Sequence, residues 1–353
     1  MDVKMQLKEI KDYSVSAIIL TYNVEDKIGK TLNSIINCVD EIIIVDSGST
    51  DATLDVISDY NCNVKVISQN WMDSFALQRN IGIHASTCKW CFCIDSDEEL
   101  TKESQLTFKC NIEMLDKYKS ETLFSPKIID RFNNSVLTNN PRIFKKSDDV
   151  KYHGRVHEYI NKLDWDVTYI DKIELIHSGY PSNQNFMDVK NARNKNLLTL
   201  QMNDEPNDLR WNYFMLRYVN PDSREFISIL ELFGEISLPY PVEYEVYCIN
   251  VKQKLIKNLI KQDKLKEAYI HCLSMTQYYN DIQSLSIKKL IEFFIAEKKY
   301  HSKLKKIKSD LFEIEKLAFD GFIFENFNFE TIDLMISNID RFILLKPEID
   351  ELL

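Results

Sequence analysis

Apolar positions along the first hundred residues fall into two alternating rhythms. Short continuous runs, "VSAIIL" at 15–20, "EIIIVD" at 41–46, "NVKVIS" at 63–68 and "WCFCID" at 90–95, read as buried strands. Between them the spacing widens to the helical period. Ile28, Leu32, Ile35, Ile36 and Val39 share one face of segment 25–39, and Leu54 and Ile57 share one within 49–60. Ser49, Thr50 and Asp51 supply polar groups for that second helix start. Segment 73–86, "DSFALQRNIGIHAS", reads as a third helix. This alternation predicts a mostly parallel, Rossmann-like sheet with helices on both faces. Such sheets bind ligands outside the carboxyl ends of their strands. The polar tails "TYN", "DSGSTD" and "DSDEE" all fall at that edge.

From 121 to 180 the texture changes to short strand-like runs, "TLFSPKIID", "PRIFKK", "KYHGRVHEYI" and "VTYIDKIELIHSGY", expected to complete the sheet and wall its pocket. After about Asn185 glycine is nearly absent and helical spacing dominates. Segments near 186–203, 208–219, 223–234, 242–261, 264–278 and 283–297 predict helices joined by short turns. Their lengths suggest stacked antiparallel pairs, tetratricopeptide-like in organisation, although no 34-residue consensus is visible. The expected division is therefore an α/β domain over 1–185 and an all-α domain over 186–353. A dimerisation bundle and a peptide-binding groove both remain open for the second.

With 353 residues, 44% of them hydrophobic, the chain has ample material for a buried core. Its net charge of -10 argues against a nucleic-acid partner, whose phosphates call for a basic surface. No apolar stretch approaches the roughly 20 residues that span a bilayer. The first residues lack the features of a signal peptide. A cytoplasmic location is expected, with the eight cysteines as reduced thiols. Cys88 and Cys91 form a C-x-x-C at a strand entry, with no second pair at zinc spacing, and read as small core residues.

The chemistry concentrates in "CFCIDSDEEL", residues 91–100, where Asp95, Asp97, Glu98 and Glu99 crowd together. Clustered carboxylates repel unless something positive sits among them. An aspartate pair at a strand end can hold Mg2+ or Mn2+, which prefer oxygen ligands and often share a diphosphate. By itself D-x-D is weak, and Thr101 is placed to start a helix. In "VDSGSTD" Gly48 gives the turn its freedom and Asp46 can accept hydrogen bonds from a base or ribose, while Ser49, Thr50 and Asp51 read as caps. The planar fork of Arg79 suits a phosphate. His153, His157 and Glu158 share one short segment, but their order is not the zinc-protease H-E-x-x-H, and Gly154 argues against a helix there. Trp71 and Phe75, like Trp211, Tyr213 and Phe214, read first as helix packing.

As an ordered set, "SAIILTYN", "EIIIVDSGSTDAT", "WMDSFALQRNIG" and "IDSDEEL" resemble the inverting nucleotide-sugar glycosyltransferases of family 2, with the GT-A fold. The resemblance implies that Thr21, Tyr22, Asn23 and Asp46 surround the nucleoside. It places Arg79 and Asn80 near the diphosphate or sugar, Asp95 and Ser96 at the nucleotide-sugar, and Asp95 and Asp97 around a Mg2+ or Mn2+ ion. "KYHGRVHEYIN" at 151–161, "IHSGY" at 176–180 and the stretch 191–218 further resemble the sublancin-type enzymes, which glycosylate cysteine or serine of small antimicrobial peptides, the glycocins. An enterocin-type member that adds glucose is one such reading. This resemblance implies Glu158 as general base, with His157 as the alternative, and His177 as an additional metal ligand. The expected reaction is inverting transfer of a hexose, glucose first, from a UDP-sugar to a Cys thiol or Ser hydroxyl of a precursor peptide. The helices would serve dimerisation or peptide binding. Two rivals stand beside it: a family 2 enzyme acting on a lipid or surface polysaccharide, and an inactive helical adaptor. A zinc hydrolase lacks a ligand set.

Overall fold

The computed structural model describes residues 12–60, 63–179, 184–262, 264–279, 282–297, 306–314, 332 and 334–339. Tyr180, and much of the helical expectation beyond 297, lie outside the described residues. The chain divides into two compact units, Met1–Glu205 and Pro206–Leu353.

The first unit opens with β1 (Val15–Thr21), α1 (Glu25–Ile35), β2 (Glu41–Asp46), α2 (Thr53–Ser58), β3 (Val64–Ser68), α3 (Phe75–Ala85) and β4 (Trp90–Cys93). It continues through β5 (Glu98–Leu100), α4 (Lys102–Leu115), β6 (Thr122–Asp130), β7 (Val136–Leu137), β8 (Ile143–Lys145), β9 (Tyr152–His153), β10 (Tyr159–Ile160), β11 (Asp166–His177) and α5 (Gln184–Asp204). Sheet order is β3-β2-β1-β4-β8-β6-β11-β5, with β7 paired to β6. The predicted strands β1 to β4 run parallel. The later additions make the sheet mixed, because β8 lies antiparallel to β4 and β6 and β5 lies antiparallel to β11.

Period-two alternation sorts the side chains onto two faces. Ala17, Ile19, Trp90 and Phe92 pack with Ile28, Leu32, Phe108 and Ile112 of α1 and α4. Ile18, Cys91 and Cys93 face the opposite way, onto Ala76 and Ile83 of α3 and onto Tyr152 and Ile160. Cys91 is thus a core residue, and burial pushes its thiol up to about 12. Gly82 lets α3 lie close on β1, since a Cβ there would stand 2.5 Å from Ile18 Cγ2.

Two departures from the sequence pattern shape the site. Helix α2 begins at Thr53 rather than near 49, because Thr50 and Asp51 donate their N–H groups to Asn23 Oδ1 instead of entering a helix. Strand β5 was not foreseen. It pairs Glu98 with His177 across β11 and so brings two distant strand ends together.

The second unit contains α6 (Leu209–Met215), α7 (Arg224–Gly234), α8 (Glu245–Lys261), α9 (Leu265–Tyr278) and α10 (Ile282–Glu297). Asp208 and Ser223 cap α6 and α7 through their side chains. Ile256 and Leu259 of α8, Ala268, Cys272 and Met275 of α9, and Ile287 and Ile291 of α10 share one apolar core. Trp211 is fully buried, as helix packing predicts. Among the described residues no helix is long and apolar enough to cross a membrane.

Candidate active site

The strand order reverses at β1, between β2 and β4, and a ligand crevice is expected outside the carboxyl ends of such a pair. Parallel register sets Thr21 beside Asp46. Thr21 Oγ1 donates to Asp46 Oδ1 at 2.9 Å, as does Ser49 Oγ at 2.6 Å. The N–H groups of Gly48 and Ser49 reach Asp46 Oδ2 at 3.0 and 2.9 Å. Gly48 enables this turn with a φ of 94°. Asn23, in the left-handed region at 50°, ties the first strand end to the second through Thr50. Tyr22 projects beside them, 59% exposed.

The next strand end answers what sits among the acids. Arg79 Nη2 donates to Asp95 Oδ1 at 2.6 Å, and Arg142 Nη2 donates to Asp95 Oδ2 at 2.7 Å. Arg142 also reaches Glu98 Oε1 at 3.4 Å, while Glu98 Oε2 accepts the N–H of Asp95. Burial would raise the Asp95 carboxyl, but Arg142 and Arg79 outweigh it and hold it well below the usual carboxylate range. Glu98 goes the other way, because burial dominates and pushes its carboxyl up. Arg142 was not singled out in the sequence. The only cue was a lone arginine entering a strand, and its role comes from β8 lying beside β4.

Glu158 joins the same network. Arg79 Nε donates to Glu158 Oε1 at 2.8 Å. Arg79 therefore bridges Asp95 and Glu158 with its side chain only 6% exposed. Its Nε and Nη2 are taken by carboxylates, while its buried Nη1 completes no hydrogen bond. Asn80 is likewise occupied, exchanging hydrogen bonds with the backbone of Tyr152 at 2.8 Å each way. The backbone oxygen of Ser96 accepts from Thr31. The loop between β9 and β10 carries Gly154 at φ 99° and His157 at φ 55°. Glu158 follows directly, its side chain 14% exposed.

Asp97 points elsewhere. His177 Nδ1 lies 3.4 Å from Asp97 Oδ1. That nitrogen is buried and completes no hydrogen bond. Asp97 raises the imidazole above its ordinary value. A hard cation fits these two groups better than it fits Asp95, whose oxygens both face arginines. Among the described residues no group of three or more His, Cys, Asp or Glu is arranged to hold a metal, so a bound cation would need donor oxygens as well.

A cavity of about 480 Å³ opens beside Asp97. Its lining includes Lys27, Lys30 and Arg131 as cations and Glu99 as a further acid, but neither Arg79 nor Glu158. Trp71 and Phe75 meet edge to face at 4.9 Å, with the Arg193 guanidinium over Phe75.

Residues 16–107 match the glycosyl transferase family 2 profile. Over 208 residues the chain is 30% identical to the SPbeta prophage-derived glycosyltransferase SunS of Bacillus subtilis strain 168, covering 58% of this chain and 49% of that one. The chain thus spans about half the length of the SunS relatives it matches. A 91-residue stretch is 36% identical to the lipopolysaccharide core biosynthesis glycosyltransferase LpsC of Rhizobium meliloti, covering 25% of this chain and 33% of that one. Among solved structures, S. aureus TarS 1-349 aligns at a TM-score of 0.41 and 17% identity, over 81% of this chain and 92% of that chain. Residues 16–107 therefore resemble a glycosyl transferase family 2 domain, with 30% identity to SunS over a longer stretch, and they lie within the mixed sheet and flanking helices of the first unit.

Proposed function

We propose that this chain is an inverting, metal-dependent glycosyltransferase. In this reading it moves a hexose, glucose first, from a UDP-sugar to a Cys thiol or Ser hydroxyl of a small ribosomally made peptide of the glycocin type. The observation that carries the reading is the assembly at one sheet edge of the Thr21–Asp46 pair, the Asp95–Arg79–Glu158 chain and the Asp97–His177 pair.

Each residue has a role in that reaction. Thr21, Tyr22, Asn23 and Asp46 frame the nucleoside. Asp97 and His177 would hold a divalent cation, which would supply positive charge to stabilise the diphosphate as it leaves. Arg79 and Arg142 keep Asp95 ionised and aligned, and Arg79 orients Glu158. Glu158 Oε1 is taken by Arg79, leaving Oε2 to receive a proton. As the acceptor sulfur or oxygen bonds to the anomeric carbon, the bond from that carbon to the UDP oxygen breaks. The acceptor proton passes to Glu158, and attack from the opposite face inverts the configuration. A hydroxyl needs the base at the moment of attack, whereas a thiol is partly ionised near neutral pH. Glu158→Gln is therefore expected to slow serine transfer more than cysteine transfer. His157, at its left-handed φ, serves to turn the chain into Glu158. The helical unit is assigned to peptide binding or dimerisation, and the protein is read as cytoplasmic.

A lipid or polysaccharide acceptor has one observation in its favour, the identity to LpsC, but that likeness covers only 25% of this chain. The resemblance of residues 151–161, 176–180 and 191–218 to the sublancin-type enzymes favours a peptide instead. The deciding experiment is intact-mass analysis of a small two-cysteine precursor peptide incubated with the protein, Mn2+ and single UDP-sugars, with Ser-for-Cys and Cys-for-Ser variants alongside. A hexose increment on the peptide supports the reading. Donor turnover with only lipid or polysaccharide labelled would replace it.

A further inference from the structure

The loop that presents Glu158 is fastened at one residue from three directions. The backbone oxygen of Arg155 accepts the N–H of Phe75 at 2.9 Å. Its own N–H donates to Gln201 Oε1 at 2.8 Å. Its guanidinium donates from Nε and Nη2 to Asp204 Oδ2 at 2.9 and 2.8 Å, and from Nη1 to the Asp73 carbonyl at 3.1 Å. Gln201 is 4% exposed, so its acceptor is committed to this loop. A parallel tie runs from His153 Nε2 to Glu205 Oε1 at 2.7 Å.

The spacing of these contacts matters. Phe75 and Arg79 stand four residues apart on α3, one turn of the same face. Arg155 and Glu158 stand three apart on the loop. The loop therefore docks on α3 at two points, Arg155 on Phe75 and Glu158 on Arg79. Val156 is buried between them and His157 takes a left-handed φ, so little slack is left in the span.

We propose that Arg155 is a positioning residue that sets the register of this loop along α3 and thereby the place of the Glu158 carboxylate. The inference rests on the reading of Glu158 as general base. The Arg155–Asp204 pair is partly exposed, with side chains 27% and 53% accessible, and pairs of that kind add little to stability. Its value is geometric. A displacement of about 1 Å near reacting atoms can cost on the order of 100-fold in rate.

The test is a double-mutant cycle of Arg155→Ala and Glu158→Gln, with Arg155→Lys as the conservative control. The readout is release of UDP, with water as acceptor, from UDP-glucose, UDP-galactose, UDP-N-acetylglucosamine and UDP-N-acetylgalactosamine in the presence of Mn2+. Arg155→Ala is expected to lower kcat by about 10- to 100-fold with donor KM within about twofold, and Arg155→Lys to recover part of the loss. In the Glu158→Gln background the same change is expected to cost no more than about twofold, because the group it positions is already gone. An unchanged kcat in Arg155→Ala, or an equal loss in both backgrounds, overturns the positioning role and leaves the base reading standing. Full activity in Glu158→Gln overturns the base reading and this inference with it. No UDP release from any donor by the parent protein contradicts the transferase reading on which both stand.

Discussion

Asp46 and Asp95 close strands on either side of β1 and are held in opposite ways. Asp46 is satisfied by its own turn, through Gly48 and Ser49, and by Thr21 on the adjacent strand. All of these donors are neutral. Asp95 is satisfied by two guanidiniums, from Arg79 and Arg142, which stand 16 and 47 residues away. The first strand end is a local device that assembles with its own loop. The second exists only once β8 and α3 have packed against β4, and it carries three carboxylates on two arginines. Breaking the first leaves unmade hydrogen bonds on a carboxylate with neutral partners, whereas breaking the second leaves carboxylates, the buried Glu98 among them, without their cation.

The largest consequence is expected at Glu158, the carboxylate of the second network proposed as general base, with Oε1 taken by Arg79. Replacing it with glutamine is expected to lower the transfer rate by about 100- to 10,000-fold while UDP binding persists, as steady-state kinetics and calorimetry would show. Next comes Arg142→Met, which leaves Asp95 and Glu98 short of a partner where the arginine side chain is 8% exposed. Urea unfolding should report a loss of about 3–5 kcal/mol, and Arg142→Lys should recover only part of it because a single ammonium cannot reproduce the fork. Asp46→Asn tests the other strand end. It points an amide N–H at donors that the carboxylate accepted, and about 1–3 kcal/mol should be lost. Equal losses for Arg142→Met and Asp46→Asn would erase the distinction between the two ends. The smallest effect is expected at Gly48→Ala. A Cβ there meets nothing within 4 Å, so only the left-handed φ of 94° resists, at about 1–2 kcal/mol in the same assay.

The two strand ends also differ in how far the sequence disclosed them. The apolar runs announced β1 to β4, and the Gly48 turn and the helix start at Thr101 follow from local chemistry. Asp46 was legible for the same reason, since Gly48 and Ser49 lie within its own motif and only Thr21 comes from another strand. Arg142 was not, because nothing around "PRIFKK" separates a buried arginine from a surface one until strand order is known. Strand β5 escaped notice because "EEL" has no strand pattern of its own and is held by pairing with β11. Asp95 and Asp97 looked alike as a motif. The fold separates them, one toward arginines and the other toward His177. Asn80 looked like a donor-site residue and instead fastens the backbone of Tyr152, a contact between residues 72 apart.

The measurement that tests the central claim most directly is calorimetric binding of UDP with and without Mn2+, on the parent protein and on Asp97→Asn. The account predicts that Mn2+ tightens UDP binding at least about tenfold in the parent, near 1.4 kcal/mol, and that Asp97→Asn loses this gain. Absence of UDP binding under either condition, or a Mn2+ effect undiminished in Asp97→Asn, would contradict a donor site built on Asp97 and His177.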